Sequence, residues 1–452
     1  MRTSSLIAIL FLVLAVPAFA QDGDAPSHPT LEQVRNAIAA SGASWEAGET
    51  SMSIISPEAF ALMFPPADWF GSADHPPAVP PAIPKDLPAR FTWDDMDGVN
   101  WNTEVKSQGY CGSCSAFAAV GTLESNIKIG RSDSLLEPDL SEMHLFFCNG
   151  GACDWGSMPW EMLGGLKNGG APDETCWPYA GSGADFPCSD SCSDWANRAW
   201  TINGFNWCGA GNREAIKAAL MNGPLWSGLL IFEDFRYYKS GVYSHVEGGL
   251  VGGHAVVMVG YDDTLGAWRC KNSWDTNWGE DGYFWIAYGE AGIDLEAFSI
   301  EFNVDTACSS RVAPSILGLQ YSGGSSEPPE IDPDEEMFVH LDYEDPDGDL
   351  GGGYYELSLD GGAAVRGDAP LIGVLGCDHD ESGTYITVKV GEDFEPGEHT
   401  FSITIYDLCG KSATVDGSFT VTSGDDDDSG DDDDSDADDD DDDDDSGGGA
   451  CG

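Results

Sequence analysis

Gln108-Gly109-Tyr110-Cys111-Gly112-Ser113-Cys114-Ser115-Ala116-Phe117 is the stretch of sequence that decides how this chain is interpreted. It places an amide side chain, Gln108, ahead of a cysteine, Cys114, that opens an apolar stretch with helical spacing. The first turn of a helix has unpaired N–H groups and a partial positive charge, and both favour a thiolate over a thiol. We therefore interpret Cys114 as a candidate nucleophile, provided that a histidine and an asparagine follow it.

Two later segments supply these residues. His254 follows the glycines Gly252 and Gly253 and precedes the apolar run Ala255–Tyr261. This apolar run predicts a buried strand that holds the imidazole in place. Asn272 precedes Trp274, so a neutral amide can orient the imidazole while the indole shields their hydrogen bond from water. The side-chain N–H of Gln108 and the backbone N–H of Cys114 are the predicted oxyanion donors.

Each residue also has a plainer interpretation. His245 is a rival base, although its polar, glycine-rich surroundings indicate a loop. Cys111 and Cys114 form a CxxC pair, which is also typical of redox sites and of half a zinc site. No thioredoxin-like βαβ pattern and no second CxxC accompany the pair, which disfavours both alternatives.

The motifs taken together resemble the papain family of cysteine peptidases. Cys114 is followed by His254 after 254 − 114 = 140 residues and by Asn272 after 272 − 114 = 158 residues. In that family the catalytic histidine and asparagine follow the catalytic cysteine by roughly 130–150 residues. The resemblance covers about residues 85–305 and includes the motifs Gln108–Cys114, Gly253-His254-Ala255, Asn272-Ser273-Trp274 and Trp278-Gly279-Glu280-x-Gly282-Tyr283.

The resemblance implies an α+β fold of two lobes, one helical and one β-barrel-like, with Cys114 and His254 facing each other across a cleft. It implies that Cys114 is the nucleophile, His254 the base, Asn272 the orienting group and Gln108 the oxyanion donor. It further implies the disulfides Cys111–Cys153 and Cys148–Cys188, with Cys176–Cys192 a candidate third pair. Cys208, Cys270 and Cys308 are left unassigned, and Cys270 is a candidate for a buried free thiol.

The sequence departs from the family pattern at the substrate cleft. The family has Trp or Tyr after the nucleophile, whereas this chain has Ser115, and only Gly156 remains of a glycine pair that binds substrate. Trp274 and Glu296 are further candidate substrate-binding residues, and Glu296 would favour a basic P2 residue. The segment between Cys176 and Cys192 lacks the paired histidines that make one branch of the family a dipeptidase, which favours an endopeptidase.

Composition divides the rest of the chain. Residues 1–20 have the pattern of a signal peptide, with Arg2, an apolar core and Ala18-Phe19-Ala20. Residues 21–84 are interpreted as a pro-segment and linker, 85–308 as the peptidase domain, 309–422 as a β-sandwich (immunoglobulin-like) module and 423–452 as a disordered, Asp-rich tail. Thirteen cysteines in a secreted chain predict disulfides, and the odd number leaves at least one unpaired.

Charge limits the partners. Lys and Arg total 19 against 79 Asp and Glu, a net charge of -60, which argues against binding nucleic acid or anionic membranes. We predict a secreted monomer without a spanning helix that acts on protein or peptide substrates. Attachment to a cell surface through the acidic tail, which ends near Cys451, stays open as an alternative.

Sequence patterns also predict individual elements. Helical spacing predicts a helix over Ser115–Ile129 that stops at Gly130, and alternation predicts strands at Met337–Leu341 and Thr384–Val390. Cys377 and Cys409 are the only cysteines of the β-module and are predicted to pair. No cofactor or metal is assigned.

Asp345-Pro346-Asp347-Gly348-Asp349 resembles a calcium loop, with Glu356 at the twelfth place, but Leu350 occupies the sixth place, where an EF-hand needs glycine. A plain acidic turn is the preferred interpretation, and a Ca²⁺ ion near Asp345, Asp347 and Asp349 is the alternative. For the whole chain we predict a secreted, papain-like cysteine endopeptidase made as a zymogen. The alternative is a catalytically inactive papain-fold binding or adhesion protein.

Overall fold

The structure is a computed structural model that describes residues 28–67, 78–322, 328–332, 336–367, 383–389 and 394–423. The predicted signal peptide, the acidic tail, Cys377 and Cys451 lie outside the described residues. Within them the helices are α1 Leu31–Ser41, α2 Pro57–Ala61, α3 Cys114–Arg131, α4 Glu142–Phe147, α5 Pro159–Asn168, α6 Trp195–Arg198, α7 Arg213–Leu220 and α8 Val304–Cys308. None of these helices is both long enough and apolar enough to cross a membrane.

The described strands form three sheets. The largest has the order β1-β5-β8-β7-β6-β4-β9-β3, with β2 also pairing with β6; the other two have the orders β10-β12-β15 and β11-β17-β16-β13-β14. The strands are β1 Trp45–Ala47, β2 Arg90–Thr92, β3 Gly204–Trp207, β4 Leu225–Phe232, β5 Tyr238–Tyr243, β6 Leu250–Asp262, β7 Ala267–Lys271, β8 Tyr283–Ala287, β9 Glu296–Glu301, β10 Ser315–Ser322, β11 Glu330–Ile331, β12 Glu336–Glu344, β13 Tyr354–Leu359, β14 Val365–Arg366, β15 Gly383–Lys389, β16 Gly397–Tyr406 and β17 Ser412–Val421.

The long helix α3 is the central element of the helical lobe. It is buried along nearly its whole length, and Gly121 lets its backbone approach β6 so closely that a Cβ there would lie 3.1 Å from Val257 Cγ2. The prediction that this helix stops at Gly130 is wrong. The helix runs through Arg131 and ends at Ser132, which has a φ of 55° in the left-handed region. Gly130 is instead required by packing, because a Cβ there would lie 3.0 Å from Val304 of α8.

Two hydrophobic cores flank the contact between α3 and β6. One belongs to the helical lobe and contains Leu123, Leu145 and Leu163, and the other lies in the β-rich lobe around Trp268, Trp278 and other large side chains. This two-lobed α/β arrangement agrees with the fold that the sequence motifs imply. Cys114 and His254 lie where the two lobes meet.

The N-terminal segment 28–67 packs into the β-rich lobe rather than standing apart from it. Its strand β1 adds to the edge of the large sheet by pairing antiparallel with β5. Its apolar side chains are part of the β-lobe core: Val34, Trp45, Met52, Phe60, Met63 and Phe64. Helix α1 begins with a capping box in which Thr30 and Gln33 satisfy each other's backbone N–H groups.

The two C-terminal sheets share a third core. It contains Met337, Val339 and Leu341 of β12, which alternate with partly or fully exposed neighbours as a half-buried strand requires. The opposite sheet contributes Ile403 and Ile405 of β16.

Two predictions for this region are wrong. Cys409 is bonded to Cys308 of α8 rather than to Cys377, because the turn after β16 lies against α8 and not within the interior of its own sheets. Glu356 is not a loop ligand, since it lies within β13 and its carboxylate accepts a hydrogen bond from Tyr406 Oη at 3.1 Å.

Candidate active site

The candidate nucleophile, Cys114, is the first residue of α3 and is 1% exposed. A disulfide between Cys111 and Cys153 fixes the loop that leads into the helix, as the resemblance implies. His254 lies on β6, whose backbone N–H at Ala255 is within hydrogen-bonding reach of the Cys114 thiol. The structure therefore brings together a thiol and an imidazole from two different lobes.

Hydrogen bonds determine which nitrogen of His254 carries the proton. Asn272 Oδ1 accepts from the Ser273 backbone N–H at 2.9 Å, which can only donate, so the orientation of this amide is determined. The same oxygen lies 2.8 Å from His254 Nε2 and must accept there as well. Neutral His254 is thus protonated on Nε2, and its Nδ1 has no hydrogen-bond partner among the described residues. This is the tautomer that a general base needs, because Nδ1 keeps a lone pair.

Aromatic rings cover this pair. Trp274 is fully buried, and its ring lies 5.0 Å from the His254 ring, as centroids, on one side. Phe64 of the N-terminal segment approaches edge-on, with its centroid at 5.4 Å. The predicted shielding role of Trp274 is consistent with this packing.

Burial changes the ionisation of both groups. It raises the pKa of the Cys114 thiol to about 12, although the backbone N–H groups of Ala255, Ser115 and Cys114 act in the opposite direction. It lowers the pKa of His254 to about 4, against the effect of the hydrogen bond to Asn272. In the covered cleft both groups are therefore neutral at pH 7. The start of the helix does favour the thiolate, but desolvation is the larger effect here.

Gln108 is completely buried beside the thiol. Its side-chain oxygen accepts from Ser273 Oγ at 2.8 Å, which directs the amide N–H groups the other way. Nε2 then donates to the Cys111 carbonyl at 2.9 Å and to the Met63 carbonyl of the N-terminal segment at 3.2 Å. A peptide carbonyl thus occupies the position where the predicted oxyanion donor points.

Two supporting residues were not found by sequence reasoning. Ser273 orients both amides of the site, through its backbone N–H to Asn272 and its hydroxyl to Gln108. Tyr179 donates from its hydroxyl to the Gln108 backbone carbonyl at 2.8 Å and packs against Phe117 of α3. Ser273 lies inside the motif Asn272-Ser273-Trp274, so the sequence could have indicated its role. Nothing in the sequence indicates Tyr179.

The predicted substrate-binding residues differ in what they can offer. Gly156 lines the cleft, since a Cβ there would lie 2.8 Å from Cβ of Pro65. Its N–H donates to the Ala152 carbonyl at 2.7 Å and its carbonyl accepts from the Ala152 N–H at 3.3 Å, so only the second lone pair of that carbonyl is left for a substrate. Trp155 beside it is 60% exposed and is a candidate that sequence reasoning missed. Glu296 is buried at the start of β9 opposite Gly228, and its role in P2 selection stays a prediction.

The departure at Ser115 alters the start of the helix rather than the reacting groups. Ser115 is 2% exposed, and its carbonyl accepts from the Trp226 indole at 3.0 Å. Its hydroxyl has no hydrogen-bond partner among the residues that the structure describes.

The rival base His245 has a structural role. Its Nδ1 contacts both carboxylate oxygens of Asp234 at 3.1 Å, and its ring stacks on Phe232. Burial alone would lower the pKa of His245, but the hydrogen bond and charge of Asp234 outweigh it and raise the pKa. Asp234 also accepts from the backbone of Val246 and Glu247, so the pair holds a loop in place.

Most described cysteines are paired in disulfides, whereas Cys114 is a free thiol. The structure contains the bonds Cys148–Cys188 and Cys176–Cys192 in addition to those of Cys111 and Cys409. Among the described residues Cys114, Cys208 and Cys270 are free, and all three are buried. Of these, Cys114 is the one that lies beside an imidazole.

Comparison with known proteins identifies the family. The model of the papain family cysteine proteases matches residues 87–301. A cathepsin B-like protein of Giardia intestinalis, CP2, is 37% identical over 210 residues, which are 43% of this chain and 68% of that protein. A second Giardia protein, cathepsin B-like CP3, is 39% identical over 204 residues, or 42% of this chain and 67% of that protein.

A solved structure supports the same fold. Procathepsin B S9 of Trypanosoma congolense superposes with a TM-score of 0.52 at 23% identity, covering 61% of this chain and 99% of that one. The fold and the relatives define a cysteine peptidase that acts on protein or peptide substrates. The chain belongs to the papain family of cysteine proteases.

Proposed function

We propose that this protein is a secreted cysteine endopeptidase, made as a zymogen, that cleaves peptide bonds with Cys114, His254 and Asn272. Residues 21–84 are its pro-segment. The observation that carries this proposal is the path of the N-terminal segment across the candidate site. A segment that occupies a cleft where a peptide carbonyl meets Gln108 mimics a substrate while it blocks access.

The contacts within the cleft are local and specific. Met63 presents its carbonyl to Gln108, Phe64 covers the His254 ring, and the Pro65 carbonyl accepts from the Gly253 backbone N–H at 2.9 Å. Gly252 permits this approach, because a Cβ there would lie 2.7 Å from Cβ of Phe64. Substrate cannot reach Cys114 while these three residues stay in place.

Further contacts anchor the segment outside the cleft. The Arg236 guanidinium donates to the Met52 carbonyl at 2.7 Å and to the Ile55 carbonyl, and it lies 4.9 Å above the Phe60 ring. The Trp45 indole donates to the Ser244 carbonyl at 2.9 Å. The bonds from the charged Arg236 guanidinium are charge-assisted, and hydrogen bonds of that type contribute about 1.5–3 kcal/mol each. The segment should therefore bind tightly even without a covalent link.

Once the segment is removed, the groups can perform acyl transfer. Cys114 transfers its thiol proton to His254 Nδ1, the resulting thiolate attacks the scissile carbonyl carbon, and the oxyanion receives hydrogen bonds from Gln108 Nε2 and the Cys114 backbone N–H. His254 then donates its proton from Nδ1 to the leaving amine, and the C–N bond breaks to give a thioester. His254 next removes a proton from water, which attacks the thioester and releases the acid and the thiol. Asn272 keeps the imidazole in the required orientation throughout.

Acid should open the precursor. The pKa of His254 in the covered cleft is about 4 against an ordinary value of 6.5, so covering favours the neutral ring. The stability that this shift gives to the covered state is fully present above pH 6.5 and is lost as the pH falls towards 4. We expect uptake of an epoxide thiol inhibitor at Cys114 of the precursor to rise on the order of 100-fold between pH 7 and pH 4, relative to processed enzyme. Mass spectrometry of the labelled peptide measures it.

Phe64→Ala provides the control for this experiment. Removing the ring exposes His254, and the pH dependence of uptake by the precursor should become flatter. Equal uptake by the intact precursor and the processed enzyme at pH 7 would show that residues 63–65 do not block the site. No uptake by processed enzyme at any pH would favour the inactive binding protein instead.

The preference for internal bonds rests on the loop between Cys176 and Cys192. This loop carries no histidine, and its Phe186 packs against Phe147 of the helical lobe, 5.7 Å away between centroids. An endopeptidase does not need a free C-terminal carboxylate on its substrate. We expect a peptide with an amidated C-terminus to be cleaved as fast as its free-acid form, within about threefold. Strong preference for the free acid would instead indicate a dipeptidase.

The regions around the peptidase domain complete the proposal. The signal-like residues 1–20 indicate export, so the exported precursor should begin at Gln21, which N-terminal sequencing tests. The shared core of the two C-terminal sheets supports an immunoglobulin-like β-sandwich, for which we propose a spacer or substrate-binding role. Limited proteolysis followed by reduction of the Cys308–Cys409 disulfide tests this role, and release of residues 309–422 as a folded fragment would support a separate module.

A further inference from the structure

We propose that Asp345, Asp347, Asp349 and Asp407 form a calcium site at the junction between the β-module and the peptidase domain. The first three lie in the turn after β12, and Asp407 lies in the turn after β16. Carboxylate oxygens of Asp345, Asp347 and Asp349 all lie within 4.8 Å of one another. Those of Asp349 and Asp407 lie within the same distance of each other.

The unpartnered atoms point to a ligand. Asp349 is completely buried, and neither of its carboxylate oxygens has a hydrogen-bond partner among the described residues. Within the described part of the chain, one oxygen of each neighbouring carboxylate also lacks a hydrogen-bond partner: Asp345 Oδ1, Asp347 Oδ1 and Asp407 Oδ2. Five oxygens of these four carboxylates therefore lack a hydrogen-bond donor among the described residues. A buried carboxylate without a partner is strongly unfavourable as an anion, so the cluster must either take up protons or bind a cation.

The remaining oxygens are used to hold the turns in shape. Asp345 Oδ2 accepts from the Leu350 N–H at 2.6 Å, Asp347 Oδ2 from the Val312 N–H at 2.6 Å, and Asp407 Oδ1 from the Lys411 N–H at 2.7 Å. Each of these three carboxylates is thereby held through one oxygen, while its other oxygen has no donor among the described residues. Such preorganisation is what a metal site requires of its ligands.

The nearby cations of the protein are engaged elsewhere. The Arg311 guanidinium donates to backbone carbonyls of Asp347, Arg198 and Ala199 and lies over the Trp200 ring. Arg198 pairs with Asp173, and Lys411 Nζ donates to the Arg311 carbonyl. Within the described residues, then, none of these side chains donates to the unpartnered oxygens.

Size and ligand type favour calcium. Ca²⁺ binds six to eight oxygens at about 2.3–2.6 Å, so oxygens on opposite sides of one ion lie about 4.6–5.2 Å apart. Ligand atoms within 4.8 Å of one another are close enough to share one such ion. Cys409 also lies near Asp349 and Asp407, but its sulfur is bonded to Cys308 and a thiolate ligand is not available. A site of carboxylate oxygens alone suits a hard cation rather than zinc.

The position of the site gives it a consequence for the whole molecule. Asp347 contacts two residues of the connection between the domains, Arg311 through its carbonyl and Val312 through its carboxylate. Gly348 lies so close to Asp173 of the peptidase domain that a Cβ would be 2.4 Å from its carboxylate. The Leu408 N–H donates to the Asp349 carbonyl at 2.8 Å, which joins the two turns. Calcium would therefore hold the β-module against the peptidase domain.

Thermal unfolding of the full chain tests the site. We expect Ca²⁺ to raise the Tm of the wild-type protein by roughly 4 °C at a hundredfold excess over its Kd, compared with EDTA. Asp349→Asn should show no calcium shift. In EDTA its Tm should equal or exceed that of the wild type, because the variant lacks a buried, unpaired charge. Asp407→Asn is the second variant and should behave in the same way.

Asp416→Asn is the matched control, because Asp416 is exposed on β17 of the same module. It makes the same change in charge and should keep the full calcium shift. The acidic tail is present in all variants, so its weak binding of cations cancels in the comparison. Equilibrium dialysis in 0.15 M KCl should show one more bound Ca²⁺ per chain for wild type than for Asp349→Asn.

Several results would overturn the proposal. Identical wild-type Tm values in Ca²⁺ and EDTA would show that the site does not bind calcium. A full calcium shift in both Asp349→Asn and Asp407→Asn would show that calcium binds elsewhere. A shift of equal size with Mg²⁺ would overturn the assignment to calcium, because Mg²⁺ prefers smaller octahedral sites that keep several waters.

Discussion

Cys114→Ala is expected to abolish peptide hydrolysis by the processed enzyme, with a fall in kcat on the order of 10⁵–10⁶. The thiol is the only group of the site that can form the thioester, so no neighbour can take over the covalent step. Because its side chain is small and buried, replacing it with alanine removes one sulfur atom and leaves α3 and its packing intact. The measurement is kcat on a fluorogenic peptide, together with the Tm of the variant.

Cys208→Ala is a matched control for this change. Cys208 is another buried free thiol, and burial raises its pKa to about 12, as for Cys114. The control should retain activity within about twofold, because Cys208 lies next to Ala297 in the β-rich lobe and has no imidazole partner in the described contacts. Activity of Cys114→Ala within tenfold of the wild type would show that the nucleophile has been assigned wrongly.

His254→Ala is expected to lower kcat/KM by at least about 10⁴, close to the effect of losing the nucleophile. Nucleophile and base act as a unit, so neither retains its function alone. The variant loses both the base that activates the thiol and the acid that protonates the leaving amine. Asn272 Oδ1 keeps its bond to the Ser273 N–H in the variant, so the local structure should survive.

His245→Ala separates this result from a general effect of losing a histidine, although His245 is only partly buried. His245 is paired with Asp234 and supports a loop, so its loss should reduce the Tm but change kcat/KM by less than about tenfold. The Tm of His245→Ala is compared with that of His254→Ala under the same conditions. A larger loss of kcat/KM in His245→Ala than in His254→Ala would reverse the assignment of the base.

Much of the fold, and the residues of the candidate site, could be predicted from local patterns. The apolar spacing after Cys114 predicts α3, and the glycines before the run Ala255–Tyr261 predict a buried strand, which the structure extends to Leu250–Asp262. These elements are predictable because each depends on periodicity and on neighbours in the chain. Gly130 shows the limit, since a glycine that serves close packing against Val304 looks the same in the sequence as one that ends a helix.

The ionisation of the site could not be predicted in this way. The helix start at Cys114 favours a thiolate, and that contribution is real, but Phe64 and the surrounding chain remove water from the cleft. Desolvation is a property of everything packed around a group, including a segment fifty residues earlier in the sequence. The raised pKa of the thiol and the lowered pKa of His254 therefore follow from the covered state and not from the motif.

The sequence by itself determined the kind of chemistry, because Gln108, Cys114, His254 and Asn272 stand in motifs whose residue types have few other uses together. It also determined the acidic turn at Asp345–Asp349. Only the tertiary structure decided that Met63–Pro65 cover the site, that Cys409 bonds to Cys308, and that Asp407 joins the acidic turn. The physical reason is the same in each case: these contacts join residues far apart in the chain, and packing, rather than local pattern, selects which partners meet.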